Sequence, residues 1–288
     1  MKKIVLLFAA VLFVVGATMA QSKDNQSDVT ISNGSDDNEV KVSQTLYGNE
    51  LNISGVSITD NSDDNEVTVE QEGEGHDSGV SIYDNSNGND VNVDQDGEEQ
   101  YSAVEIGIYS SGNDVDVDQE GEVNGSYVGI GVESNGNDVD VDQEGEGNTS
   151  LAEIAFGSNS NDVTIGQEGE GNYSQAYIRL ESNGNDINVG QDGEDNYSSA
   201  GIDVGSDGND IDVGQDGEDL SSFVGISEES DGNDVEVGQY GKNHESIVDI
   251  FEESSYNDVR VDQDGNYSTS DVEVSYGSDG NYIEVDQK

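Results

Sequence analysis

The stretch Asn161-Asp-Val-Thr-Ile-Gly-Gln167-Glu-Gly-Glu-Gly-Asn172-Tyr-Ser-Gln-Ala-Tyr-Ile178 holds two runs of strict alternation separated by glycines. In the first, Asn161, Val163, Ile165 and Gln167 share one parity while Asp162, Thr164 and Gly166 take the other. In the second, Ser174, Ala176 and Ile178 alternate with Tyr173, Gln175 and Tyr177. A period of two with β-branched residues on one side is the pattern of a half-buried strand, and neither run offers a helical face. Glycine-rich linkers such as Gly145-Glu-Gly-Asn148 and Ser182-Asn-Gly-Asn185 are expected to supply the positive φ of tight turns.

Outward from this unit the pattern repeats. Gln recurs at Gln44, Gln71, Gln95, Gln119, Gln143, Gln167, Gln191, Gln215, Gln239, Gln263 and Gln287, every step being 24 residues except the first, which is 27. Six residues before each lies an Asn: Asn38, Asn65, Asn89, Asn113, Asn137, Asn161, Asn185, Asn209, Asn233, Asn257 and Asn281. Val or Ile stands four and two residues before every Gln, and Gly follows two residues after nine of them, from Gly73 to Gly265. Seven residues after the Gln comes Ser, as at Ser126 and Ser198, followed by Val or Ala and then Ile or Val at alternate positions. A half unit, Ser27, Val29 and Ile31, precedes Asn38.

A two-strand unit with one apolar face cannot bury that face alone and must stack on copies of itself. The expectation is an all-β fold, a β-solenoid of about eleven strand-turn-strand coils forming two parallel in-register sheets, roughly 50 Å long at ~4.8 Å per coil. Inward positions of one coil read Asn113, Val115, Val117 and Gln119, then Ser126, Val128 and Ile130. The eleven Asn and eleven Gln side chains then form amide ladders of an amyloid-type core, bonding along the axis and relieving a cost of about 1–3 kcal/mol for each buried polar group. The absence of Pro fits, since a central strand position needs its N–H.

Composition alone points elsewhere. The 288 residues include 65 Asp plus Glu against 8 Lys plus Arg, a net charge of -57, with 31% hydrophobic residues and no Cys or Trp. That balance is close to disordered chains; the repeat overrides it by gathering the scarce apolar residues on inward columns. Nucleic acid and anionic membrane surfaces are excluded as partners for want of clustered Lys or Arg, and without Cys there are no disulfides or thiolate sites. At the N-terminus, Lys2 and Lys3 precede an apolar run from Ile4 to Val15, and small residues end at Ala20. This is the pattern of a signal peptide over residues 1–20 cleaved before Gln21. The expected organisation is that leader, an N-terminal segment over 21–37 with the half coil at 27–31, and repeats over 38–288, exported without membrane insertion.

The repeat resembles the curlin family, whose unit reads Ser, five residues, Gln, any, Gly, two residues, Asn, five residues, Gln. Gln167, Gly169 and Asn172 stand at the family spacing, as do Gln143, Gly145, Asn148 and Gln191, Gly193, Asn196. Asn replaces the family's first Ser, Ile178 and Ile202 replace the second Gln, and His76, Gln100, Leu220, His244 and Ser268 replace the turn Asn. The resemblance implies a secreted subunit of curli-like fibres, a functional amyloid of biofilm matrix and surface adhesion, with curli-type secretion and nucleation proteins as partners. From the residues themselves, a solenoid that begins on one strand type and ends on the other has two unpaired edges, each a template for another copy, so head-to-tail fibres are expected.

Acidic residues lie at odd offsets from the Gln, opposite in parity to the Val, so they should form outward ladders. Like charges ~4.8 Å apart cost ~0.9 kcal/mol per pair in water. Two readings follow: a solvated surface that slows assembly until export, or carboxylate ladders bridged by Ca²⁺, whose Ca–O bonds of about 2.3–2.6 Å can span one rise. His76 and His244, at a turn position seven coils apart, read as turn residues with no catalytic partner. Tyr173 and Tyr197 should stack on adjacent coils. No column of Thr favours ice binding, and the isolated Arg179 and Arg260 do not favour an enzyme on acidic polysaccharide. No catalytic, metal or cofactor residues are expected; a monomeric calcium-binding adhesin is the alternative to a fibre subunit.

Overall fold

A computed structural model describes residues 25–288; the expected signal peptide lies outside these residues. The described chain is all strand and turn, with 22 strands in two sheets of eleven. Odd-numbered strands, from β1 (Gln26–Ile31) to β21 (Thr269–Val274), make one sheet, and even-numbered strands, from β2 (Glu39–Leu46) to β22 (Tyr282–Gln287), make the other. All pairings are parallel and join equivalent residues, so Gln119 lies beside Gln143 and Gln143 beside Gln167. The expected β-solenoid is thus the observed fold. The fixed period is the cause: a one-residue slip would turn Val and Ile outward, and a two-residue slip would set the Asn beside Val and break the amide columns.

One coil shows the construction. Strand β9 (Gly125–Gly131) is followed by a six-residue corner, then β10 (Asp138–Glu146), then the two-residue corner Gly147-Asn148. Val128, Ile130, Val139 and Val141 point inward and are at most 1% exposed. The same four positions in every interior coil fuse into one apolar core between the sheets. The three extra residues of the first unit fall in its short corner, between Leu46 and Ile53. Among the described residues no helix is long and apolar enough to cross a membrane.

The turns differ from the sequence expectation. Glu146 still belongs to the strand, so Gly145 is a strand residue, and many positive-φ positions are not glycine. In the long corner, Val132 and Glu133 stand at φ 58° and 62° before Gly136 at 62°. The reason is the stack. Val132 N–H donates to Gly107 O and Glu133 N–H to Ile108 O of the coil below, so the neighbouring turn dictates the backbone against local preference.

Candidate functional site: two amide ladders and two open ends

Asn and Gln border the apolar core of the even-numbered sheet, and both are buried in the interior coils. The Asn residues make one unbroken chain of side-chain bonds. Asn65 Nδ2 donates to Asn38 Oδ1 at 2.9 Å, Asn137 to Asn113 at 3.0 Å, and so on to Asn281, which donates to Asn257 at 2.9 Å. Each Oδ1 also accepts from the backbone N–H of the next Asn, as Asn137 Oδ1 does from Asn161 at 3.0 Å. This second bond explains why Asn is used: its amide is short enough to reach the main chain of the adjacent coil.

The Gln residues form a second chain of the opposite sense. Gln44 Nε2 donates to Gln71 Oε1 at 2.7 Å, Gln143 to Gln167 at 2.7 Å, and Gln263 to Gln287 at 2.8 Å. The other hydrogen of many of these amides crosses the core, as Gln143 does to Gly125 O at 3.1 Å, and ties the two sheets together. The structure therefore joins all eleven predicted Asn and all eleven predicted Gln into two ladders, Asn donating toward the N-terminal end and Gln toward the C-terminal end.

A further ladder was not read from the sequence. Ser134 Oγ donates to Gly131 O at 2.9 Å and Ser134 N–H donates to Ser110 Oγ at 3.2 Å; together these bonds pin the long corner. Its signal was available, because a Ser precedes each Asn by three residues from Ser35 onward. The inward Ser column expected from the sequence at seven residues past the Gln makes no such ladder, for the Oγ atoms of Ser54 through Ser270 have no hydrogen-bond partner among the described residues. We have no physical account of why hydroxyls occupy that column.

Four of the five residues that depart from the turn Asn, His76, Gln100, Leu220 and His244, are buried too. His76 Nε2 lies 3.2 Å from Glu72 O and its Nδ1 accepts from Gln100 N–H at 3.3 Å, copying the contacts of Asn at that position. His244 sits the same way, 3.1 Å from Tyr240 O. Tyr173 and Tyr197 do stack, with centroids 5.3 Å apart and ring planes 7° apart.

Charge is divided between the faces. The even-numbered strands carry 36 acidic residues and the odd-numbered strands 8. The basic residues Lys41, Arg179, Lys242 and Arg260 each pair with a Glu of a neighbouring coil. Among the described residues no group of three or more His, Asp or Glu is placed to hold a metal ion. Asp118 reaches solvent, yet its carboxyl is pushed up to about 6, first by the packing along its flanks and then by Asp94, Asp142, Asp116 and Glu120. Asp94, Asp140 and Asp212 are raised for the same first reason. A carboxyl whose folded value exceeds its unfolded value takes up protons in the folded state first, so it destabilises the fold above its folded pKa and this penalty disappears as pH falls.

Stability should therefore rise between about pH 6 and pH 4. The urea midpoint is expected to be higher near pH 4.5 than at pH 7, and Asp118→Asn should raise the pH 7 midpoint and narrow the difference. Burial holds His76 below the usual imidazole range, which works in the other sense but through one group against a row of carboxylates. A midpoint that drops on acidification would contradict the assignment.

Three segments, residues 63–97, 134–169 and 159–193, match the family model described as the curlin associated repeat. A search of curated proteins finds no match to the chain. The matched segments contain the Asn, Val or Ile, Gln and Gly columns described above, and the same columns continue outside them to Gln287. Repeat, register and ladders agree, and the chain carries repeats similar to the curlin associated repeat.

Proposed function

We propose that the chain is a secreted structural subunit that adds head to tail into curli-like amyloid fibres of biofilm matrix, where they serve surface adhesion. The observation that supports this best is the opposed polarity of the two ladders. At the C-terminal end, Asn281 Oδ1 accepts no bond among the described residues and Gln287 Nε2 keeps a hydrogen beyond its bond to Thr269 O. At the N-terminal end, Asn38 Nδ2 donates to Ser62 O and, at 3.2 Å, to Asp36 O of its own corner, the bond that an incoming Oδ1 would replace, while Gln44 Oε1 accepts no bond among the described residues. Donor meets acceptor and acceptor meets donor when one end is set on the other. Inward Val40 and Val42 would likewise continue the columns of Ile283 and Val285. Self is the principal partner; export and nucleation by curli-type proteins follow from the repeat family, and no catalytic role is assigned.

The acidic ladders set the conditions. Removal of residues 1–20 takes two lysines and leaves a charge of -59 on each subunit, so growth should be slow at low salt. Seeded growth of residues 21–288 is expected to yield thioflavin-positive fibres. Its rate should rise as NaCl goes from about 10 mM to about 1 M, where the Debye length shrinks from about 30 Å to about 3 Å. An arm with Ca²⁺ at matched ionic strength separates screening from carboxylate bridging. A chain that stays monomeric and thioflavin-negative for days at high concentration and moderate salt would sink the fibre reading, and Ca²⁺ binding by such a chain would favour the monomeric adhesin.

A further inference from the structure

The outward face of the odd-numbered sheet is unlike the rest of the surface. Across six of its strands, from β7 (Tyr101–Gly107) to β17 (Ser221–Ile226), the charged side chains are Glu105, Glu153 and Arg179, the last two paired with each other, and Asp203 follows at the end of β15 (Tyr197–Ile202) near Tyr177. The outward side chains there are mostly aromatic, small or uncharged polar, with Thr149, Gln175, Ser199 and Ser221 among them and Tyr101, Tyr127 and Phe223 at 52%, 37% and 39% exposure. Outward positions of one coil are often glycine, so rings lie flat: a Cβ on Gly201 would come within 2.0 Å of the Tyr177 ring.

The corner beside this face carries a second and independent sign. At its first position, coil after coil, stand Ile108, Val132, Phe156, Leu180 and Val204, all with φ between 57° and 62°. Four of them are 38–48% exposed. The equivalent positions of the first three coils are Asn33, Asp60 and Asp84, residue types that tolerate a left-handed backbone. Bulky residues there cost roughly 1–2 kcal/mol each in backbone strain and are only partly covered within the rod. The strained apolar column spans five of the six coils of the weakly charged face and adjoins it, Glu228 taking the position after β17, and strain of this kind gathers at binding surfaces.

We propose that this face and its corner are a lateral interface that takes the same face of a second copy. Six strands at ~4.8 Å and eight residue positions at ~3.3 Å give roughly 750 Å² per partner, close to the ~800 Å² of a standard interface. Self-pairing through it turns both acidic sheets outward, away from each other. A sugar polymer fits less well, because Tyr173 and Tyr197 spend ring faces on one another and Tyr177 lies between Gly201 and Arg179, whose Cζ is 4.6 Å from the ring centroid.

The inference concerns single rods and stands apart from fibre growth. It is tested by sedimentation velocity on the mature chain carrying Glu284→Pro, a substitution at the free C-terminal edge, in about 0.5 M salt to suppress charge repulsion. Rods with the native face are expected to dimerise. Leu151→Glu with Phe223→Glu should weaken the dimer at least ~10-fold, while Gly190→Glu with Gly214→Glu, which adds equal charge to the acidic sheet at positions where a Cβ meets nothing within 4 Å, should leave it intact. Leu180→Asn with Val204→Asn gives an arm that misfolding cannot imitate: the unfolding midpoint should rise while dimerisation falls. Absence of a dimer up to about 100 µM, equal loss in the acidic-sheet control, or face-dependent retention on a neutral polysaccharide in place of dimerisation would each overturn the proposal. Failure of the native chain to form fibres would leave this measurement intact.

Discussion

Glu284→Pro is expected to slow fibre elongation by ~100-fold or more while leaving the unfolding midpoint of the rod unchanged. In this parallel stack the backbone N–H groups of outward-facing residues donate to the coil above, as Glu39 does to Asn65 O, Thr149 to Asn172 O and Asp258 to Asn281 O. Hydrogen bonding alternates along a parallel strand, so Glu284 shares that direction with Tyr282. Among the described residues no coil lies above it, which leaves its N–H for an incoming copy under the fibre proposal. Proline removes the donor and puts ring carbons where the next strand must sit, and it also suits the extended Ile283 before it. A lost bond plus that obstruction need cost only ~3 kcal/mol to give the stated factor, at ~1.4 kcal/mol per tenfold. Glu284→Val keeps the N–H and should grow at the rate of the unmodified chain. Elongation of the proline variant at the normal rate would show that growth does not use this edge.

The largest expected loss of stability is at Gly145. Its φ is 116°, and a Cβ there would stand 2.1 Å from Gly169 O, 3.0 Å from its C and 3.1 Å from its N. These are backbone atoms, and Gly169 O is itself held by Asn148 Nδ2 at 3.1 Å, so no rotamer change relieves the clash. Eight glycines from Gly73 to Gly241 meet the next coil at 1.9 to 2.2 Å in the same manner. Gly145→Ala should cost upward of ~4 kcal/mol, since strain at a left-handed position adds to a backbone collision. In a stack stabilised by nearest-neighbour contacts the damage should show in hydrogen exchange as a breach around coils five to seven. Gly166→Ala, one coil above, meets nothing within 4 Å and has ordinary φ, so it should be neutral or stabilising by up to ~1 kcal/mol. A loss below ~1 kcal/mol at Gly145 would mean that the coils are not as closely joined as described.

The columns were legible because a strict period leaves no freedom of register. Once Gln119, Gln143 and Gln167 recur at equal steps with Val or Ile on the same parity, stacking fixes which residues meet, and both amide ladders follow. Their opposed polarity did not follow, because it depends on how each amide turns: Asn reaches the main chain of a neighbouring coil, whereas Gln reaches across to Gly125 or Thr149. Nor did the corners. Val132 and Ile108 have strand preferences and occupy left-handed positions because hydrogen bonds from the coil below impose them. Gly145 looked like a turn residue by type, yet its role is the close approach of two backbones within a strand. The uneven charge of the two sheets was present in the sequence, but counting carboxylates by offset from the Gln hid how few lie on the other sheet.

The most direct test of the central claim is cryo-electron microscopy of fibres grown from residues 21–288. The account predicts a two-sheet solenoid whose coils run unbroken through each subunit junction. Asn281 of one copy should lie beneath Asn38 of the next and Gln287 beneath Gln44, with a subunit repeat of eleven coils, or about 53 Å at ~4.8 Å each. A fibre in which the chains have refolded into flat cross-β layers without the 24-residue coil, or in which rods meet through their sides with both ends unpaired, would contradict it.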